Sequence, residues 1–389
     1  MIEKKIISLP KVALVYDRVN TPYGGAEKLL LSLHELYPEA PLYTSLYNPK
    51  KAPWAKVFNV KASFLNKIPF FRNKHQLLAF MMPLAFESFD FSNYDLVISI
   101  SSAEAKGIIT KPETKHICYL LTPPRYLYSH KQFYFSKSLF FNLPIINIIA
   151  KILLKYLTYW DQIAIDRPDY IIPISNLVKK RVKTFYNKTI LDAIYPSIIE
   201  IDENKKQNHQ EKKKKKEKKD SHGYLLLVSR LVPYKRIDLA IMACQELDQK
   251  LIIVGTGEEK ELFRSMIYKP KLIDLAGNVS HEALNNLYQN CLAVIMPGEE
   301  DFGIVALESL SHQKPVIINS QSGAAELIED RKSGLHLKKA DLQDIKSRIL
   351  EVRKYDFSPA IMNRCVTEHN KEVFKKQFNR AIKSALKKS

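Results

Sequence analysis

The chain has 389 residues, 46% of them apolar, and a formal net charge of +19, which describes a globular protein long enough for two ordinary domains. Its four cysteines, Cys118, Cys244, Cys291 and Cys365, are widely spaced and form no C-x-x-C pair, which argues against a disulfide framework or a cysteine metal site and fits a reducing cytosol. No run approaches the roughly 18 consecutive apolar residues of a membrane span.

The first half alternates strand-like and helix-like runs. KVALVYD (11–17) reads as a buried strand, entered directly and without the apolar stretch of a signal peptide. A loop, TPYGGAE, and a helix, EKLLLSLHELYP, come next, then APLYTSLY and a mixed helical region over 64–88. YDLVISIS (94–101) and KHICYLLT (115–122) are further strands. A long helical stretch covers 137–164, DYIIPIS (169–175) is a strand, and NLVKKRVKTFY (176–186) is a helix. This order predicts a parallel sheet with helices on both faces.

Residues 202–222, DENKKQNHQEKKKKKEKKDSH, contain no apolar side chain and read as a self-repelling, disordered linker. Alternation then restarts. YLLLVSR, RIDLAIMACQEL, KLIIVGTG, EEKELFRSMIY, KLIDLAG, HEALNNLYQN, CLAVIMP and KPVIIN predict a second doubly wound sheet, followed by a basic helical tail over about 357–387. The expected organisation is an N-terminal Rossmann-like domain at 1–201, a lysine-rich linker at 202–222, a C-terminal doubly wound domain at 223–370, and a helix at 371–389 packing back toward the first domain. The fold class is α/β, two doubly wound domains facing a cleft.

The most informative segment is MPGEEDFGIVALESLSHQKPVI (296–317). An acidic glycine turn lies between an apolar strand and a helix, the favoured ligand position in open α/β sheets. Glu300 sits in the turn and Glu308 one to two turns into the helix. Between them Phe302, Gly303 and Ile304 offer backbone N–H groups at the positive end of a helix dipole, a seat for phosphate. Two carboxylates for hydroxyls around a phosphate cradle suit a sugar nucleotide. In SRLVPYKRIDLAI, Arg230 ends a strand and Lys235 precedes a helix, so both cations project from strand carboxyl ends, where fixed positive charge stabilises a departing diphosphate.

GGAEK after the first strand, the R-x4-K pair in SRLVPYKR, VGTGEE, AGNVSHEAL and EEDFGIVALES stand together in one order. With YDLVISISSAEAKG, CYLLTPPRYLY and DRPDYIIPISNLVKKRV they resemble the GT-B glycosyltransferases, in particular the retaining glycosyltransferase family 4 and its bacterial mannosyltransferase-like members, which build O-antigen and other surface polysaccharides. The resemblance implies that Arg230 and Lys235 bind the donor diphosphate, Glu308 holds the ribose hydroxyls, and Glu300 contacts the donor sugar. The backbone of Asp301, Phe302 and Gly303 would lie near sugar and phosphate, Val279 against the base, and Gly24 and Gly25 would let the backbone approach the phosphates. It also implies retention of anomeric configuration by front-face attack, the leaving phosphate taking the acceptor's proton. The donor it suggests first is GDP-mannose. No D-x-D triplet occurs, so metal-independent transfer is expected. Many relatives carry a histidine where Ser102 stands here; Lys106 and Arg125 are further candidates for lining the cleft, Arg125 toward an anionic acceptor or as a structural ion pair.

Residues 1–200 carry 26 basic and 15 acidic residues, a net +11, which favours anionic partners. Residues 137–160, KSLFFNLPIINIIAKILLKYLTYW, mix large apolar residues with Lys137, Lys151 and Lys155, and Pro144 sets a helix start or kink. The segment reads either as a monolayer-facing helix or as a core helix. The expected partners are therefore a nucleotide sugar, a lipid-linked glycan acceptor and an anionic membrane surface, with the protein cytoplasmic or peripheral on the inner face of the membrane. The alternatives are a sugar-nucleotide epimerase of the same fold, glycogen-type synthesis, and a basic nucleic-acid-binding protein using the lysine run; no nucleic acid is expected, because that last reading leaves Glu300, Glu308, Arg230 and Lys235 without a purpose.

Overall fold

The computed structural model describes residues 10–21, 24–68, 79–130, 144–196 and 223–387. The lysine-rich stretch 202–222, the beginning of the helical stretch predicted from 137, and residues 69–78 of the predicted 64–88 helical region lie outside them. The chain divides into two compact units, Met1–Ile194 with Lys375–Ser389, and Tyr195–Phe374.

The first unit holds a parallel six-stranded sheet ordered β3-β2-β1-β4-β5-β6. Its strands are β1 (Val12–Tyr16), β2 (Leu42–Thr44), β3 (Val60–Ala62), β4 (Leu96–Ser101), β5 (Lys115–Leu120) and β6 (Tyr170–Pro173). Its helices are α1 (Gly25–Leu36), α2 (Met82–Glu87), α3 (Pro144–Ala164) and α4 (Asn176–Tyr186). Every residue of β1 and β4 is buried, as expected where helices cover both faces of a parallel sheet. The helical region predicted over 64–88 is, where described, a 3-10 turn at Phe64–Lys67, a second short 3-10 stretch at 79–81 and the short α2. Helix α3 is described from Pro144 onward, and the predicted start or kink at that proline borders residues outside the described ones.

The second unit repeats the plan in the order β12-β11-β10-β7-β8-β9. Its strands are β7 (Leu225–Val228), β8 (Leu251–Val254), β9 (Ile273–Gly277), β10 (Ala293–Met296), β11 (Val316–Asn319) and β12 (Gly334–Leu337). Helices α5 (Ile237–Glu246), α6 (Lys260–Ser265), α7 (His281–Asn290), α8 (Ile304–Ser311), α9 (Leu342–Glu351) and α10 (Pro359–Glu368) surround it, and α11 (Lys371–Lys387) ends the described chain. Leu227, Ile253, Ile295 and Ile317 from the sheet pack with Ala240 and Cys244 of α5 and Ile345 and Ile349 of α9. Each large apolar side chain so buried contributes about 1.5–3 kcal/mol. From Lys375 onward α11 belongs to the first unit. There Lys375 pairs with Glu35 at 2.7 Å and Phe378 packs edge-on against Tyr119.

Both sheets therefore have the doubly wound order in which the chain winds outward to one edge, returns to the middle and winds to the other. The reversal falls between β1 and β4 in the first unit and between β7 and β10 in the second. Adjacent strands at a reversal send their following loops apart, which opens a crevice at their carboxyl ends. Glu300, Arg230 and Lys235 all lie on the two loops that flank the second crevice.

Candidate active site

The loop after β7 runs Ser229–Arg236 and ends in a 3-10 turn at Pro233–Lys235. The loop after β10 runs Pro297–Gly303. They meet directly. The Lys235 ammonium pairs with the Glu300 carboxylate and donates to the Glu299 carbonyl at 3.1 Å, while the Glu299 N–H donates to the Tyr234 carbonyl at 3.3 Å. Lys235 is buried and Glu300 half-buried. Arg230 donates to the Tyr234 hydroxyl at 2.7 Å and is exposed, so its guanidinium stands at the mouth of the same loop.

Gly298 makes this approach possible. A Cβ at that position would lie 2.3 Å from the Lys235 Cα and 2.4 Å from the Tyr234 carbonyl oxygen, closer than any side chain tolerates. Gly303 serves a second purpose. It caps α8 in the left-handed region at φ 86°, and a Cβ there would meet the Ala324 Cβ at 2.1 Å. No side chain caps α8, so the backbone at Phe302, Gly303 and Ile304 forms the opening turn of the helix, where N–H groups point outward and the dipole favours an anion. Phe302 is buried and Asp301 half-buried beside it.

A third loop anchors the acidic turn. The Glu300 N–H donates to Ser322 Oγ at 3.1 Å, and the Gly323 N–H donates to the Glu300 carbonyl at 2.7 Å. The turn is thus held by its backbone, leaving the carboxylate to Lys235. Glu308 lies one turn into α8, and its Oε2 accepts from the Tyr288 hydroxyl of α7 at 2.8 Å. Tyr288 is buried and stacks on His312. Burial, with the Glu308 charge second, pushes the Tyr288 phenol well above its usual range, so it remains a donor. Ser322, Tyr288 and Gly298 were not among the residues singled out from sequence. Gly298 had a visible signal, a glycine immediately before the acidic pair; Ser322 and Tyr288 act across elements and had none. Val279 sits half-buried in the loop between β9 and α7.

The other predicted residues belong to the first unit. Gly24 caps α1 in extended conformation and Gly25 opens the helix, beside the first unit's own strand-order reversal. Glu27 of the GGAEK loop is buried and accepts from Tyr16 at 2.9 Å and Thr21 at 3.1 Å, which fixes how α1 leaves the sheet. Asp17, at the end of β1, grips the loop after β4. Its carboxylate accepts from the Ser102 N–H at 2.6 Å, the Ser102 hydroxyl at 3.0 Å and the Ala105 N–H at 2.8 Å. Ser102 is thereby a loop-holding residue at the crevice. Arg125 is half-buried in the loop after β5.

One expectation is corrected. Lys106 does not line open space. It is fully buried, its ammonium paired with Asp161 of α3 and donating to the Ala103 carbonyl at 2.6 Å. The hydroxyls of Tyr128 and Tyr186 also donate to Asp161, at 2.8 and 2.6 Å. A buried ammonium is tolerable only with such a partner set, and the partners hold it inside.

Two doubly wound units, the second carrying a cation–carboxylate pair and an uncapped helix start at its strand-order reversal, define an α/β protein of the Rossmann-like, two-domain GT-B type. Residues 208–372, most of the second unit, match the family described as Glycosyl transferases group 1. An uncharacterized glycosyltransferase of Methanocaldococcus jannaschii is 29% identical over 161 residues, covering 41% of this chain and 44% of the relative. The chain thus spans about half the length of the curated relatives it matches, or less. Among solved structures, a lipopolysaccharide outer core galactosyltransferase is similar with a TM-score of 0.62 at 18% identity, over 96% of this chain and 99% of that one. Anabaena HepE in complex with UDP-glucose is similar with a TM-score of 0.65 at 17% identity, over 96% and 99%. These likenesses extend through both units and show the fold.

Proposed function

We propose that this protein is a retaining, metal-independent hexosyltransferase that moves a sugar from a nucleotide donor to a lipid-linked or polysaccharide acceptor in surface-glycan synthesis. The observation that carries the reading is the Lys235–Glu300 pair at the β7/β10 reversal. A nucleoside diphosphate competes with Glu300 for the Lys235 ammonium. When the diphosphate takes the lysine, the carboxylate is released to accept from the hydroxyls of the sugar. Arg230 supplies a second cation, the start of α8 receives phosphate oxygen, and Glu308, fixed by Tyr288, takes the ribose hydroxyls. As the glycosidic C–O bond breaks, both electrons leave with the diphosphate. The cations and helix dipole stabilise that charge where it develops, and the departing phosphate oxygen takes the proton of the incoming hydroxyl. Positioning and electrostatics carry this reaction; no side chain is required as a nucleophile.

The bound UDP-glucose of the Anabaena structure supports a nucleotide-sugar donor as a class. GDP-mannose is the first donor to test, with UDP-glucose beside it. A thermal-shift panel of GDP, UDP, ADP and their sugars tests the reading: one base family raises the melting temperature, and its sugar raises it at least as far. No shift with any member of the panel contradicts it.

A further inference from the structure

We infer that α3 is a membrane-docking face that seats this protein on an anionic bilayer surface. The described part of the helix has two apolar sides. One packs inward through Leu157, Trp160 and Ala164. The other is exposed: Ile148, Ile149, Ile152, Tyr156, Tyr159 and Ile163 are all open to solvent, Ile152 by 62% and Tyr159 by 69%. At 3.6 residues per turn these six fall within about 100° of arc. From Ile148 to Ile163 they form a stripe about 22 Å long. An uninterrupted row of isoleucine and tyrosine that the fold leaves uncovered is far from the scattered apolar exposure of an ordinary surface.

Its charge selects the occupant. Lys151 and Lys155 are exposed and lie along one edge of the stripe. The only acidic residue of α3, Asp161, is buried against Lys106, and the exposed Asp166 just beyond the helix is paired with Lys188 at 2.7 Å. Tyrosines beside isoleucines, flanked by lysine, match the chemistry of the headgroup boundary, where aromatic rings and aliphatic chains enter and ammonium groups meet phosphate. No helix among the described residues is long and apolar enough to cross a membrane, so the helix lies along the surface. This inference stands apart from the transfer reaction, since it concerns a different face and is read without donor or acceptor.

Flotation of the full chain with vesicles tests it, using phosphatidylcholine alone and phosphatidylcholine partly replaced by phosphatidylglycerol. The protein floats with the anionic vesicles and weakly with the neutral ones. Ile152→Glu combined with Tyr159→Glu lowers binding by at least about tenfold, because both side chains already face water and the fold keeps its core. Lys151→Gln and Lys155→Gln each lower it by about fivefold, and only with anionic lipid. The glutamate substitutions leave the lysine run at 205–219 untouched, so anionic flotation that survives them at full strength overturns the proposal. Absence of flotation overturns it as well. So does light scattering that shows a dimer which the same substitutions dissolve, since the stripe would then be covered by a second copy of this chain.

Discussion

The Tyr288 hydroxyl donates to the Glu308 carboxylate at 2.8 Å, joining α7 to α8 across 20 residues of sequence. The bond fixes a helix carboxylate whose side chain would otherwise sample several rotamers. Tyr288→Phe keeps the buried ring and its stack on His312 but removes the donor. The expected result is a nucleotide-sugar KM raised by roughly three- to tenfold with kcat little changed, in line with about 1 kcal/mol for one such bond. Glu308→Ala weakens donor binding further. Equal KM values for wild type and Tyr288→Phe contradict the positioning role.

Gly298→Ala forces a methyl group into the Lys235 backbone. The turn at Pro233–Lys235 must move away from the acidic loop, at a cost of about 1–3 kcal/mol in stability. Nucleoside diphosphate binding falls with it, because Lys235 and Glu300 no longer meet. Thermal unfolding and titration calorimetry on the same sample check both halves; binding at wild-type strength contradicts the close approach as the reason for this glycine.

Lys106→Met leaves the Asp161 charge buried with two tyrosine hydroxyls and no cation. Breaking one side of a buried pair is expected to cost about 3–5 kcal/mol, and Lys106→Met with Asp161→Asn should recover part of it. Urea unfolding measures both. A single mutant as stable as wild type contradicts the pairing.

His116 on β5 is fully buried, with Nε2 within 2.8 Å of Ser99 Oγ. Burial, with the Arg167 charge second, holds its pKa at about 3 against the usual 6.5. A histidine with a depressed folded pKa stays neutral in the native state while the unfolded chain takes up a proton. Its contribution is therefore present above about pH 6.5 and is lost as pH falls from there toward 3. Between pH 7 and pH 5 that loss approaches roughly 2 kcal/mol. His116→Gln, which cannot titrate, should show a shallower decline over the same window. Identical pH slopes contradict the assignment.

Much of this arrangement was legible in the residues because parallel strands covered on both faces are unbroken apolar runs. VALVY, LVISIS, LLLV and AVIM stand out for that reason, and the turns after them carry the chemistry. The edge strands β3, VKA, and β12, GLHL, did not stand out. One carries a lysine, the other a histidine, and both are too short to show a period. Glu300 and Lys235 could be named from their loops because both ends of a strand-order reversal are local features. Ser322, which holds the Glu300 backbone, and Tyr288, which holds Glu308, could not, since each contributes through a fold-dependent contact from another element. Lys106 was misplaced for the same reason: its partner Asp161 is 55 residues away on α3, and a lysine in a loop reads as solvent-facing until the helix that covers it is known. Helix α3 read equally as core or as membrane-facing because its described part has one buried and one exposed apolar side.

The central claim is that Lys235 gives up Glu300 to bind the donor diphosphate. Titration of the purified protein with the nucleoside diphosphate that shifts its melting temperature tests this most directly. The account predicts opposite signs: Lys235→Ala weakens binding by roughly 10- to 100-fold, as loss of a charged hydrogen bond should, while Glu300→Gln, which removes the competitor for the lysine, binds as tightly as wild type or tighter. If Lys235→Ala binds the diphosphate as well as wild type, or Glu300→Gln weakens it as much as the lysine change does, the diphosphate lies elsewhere and the account fails.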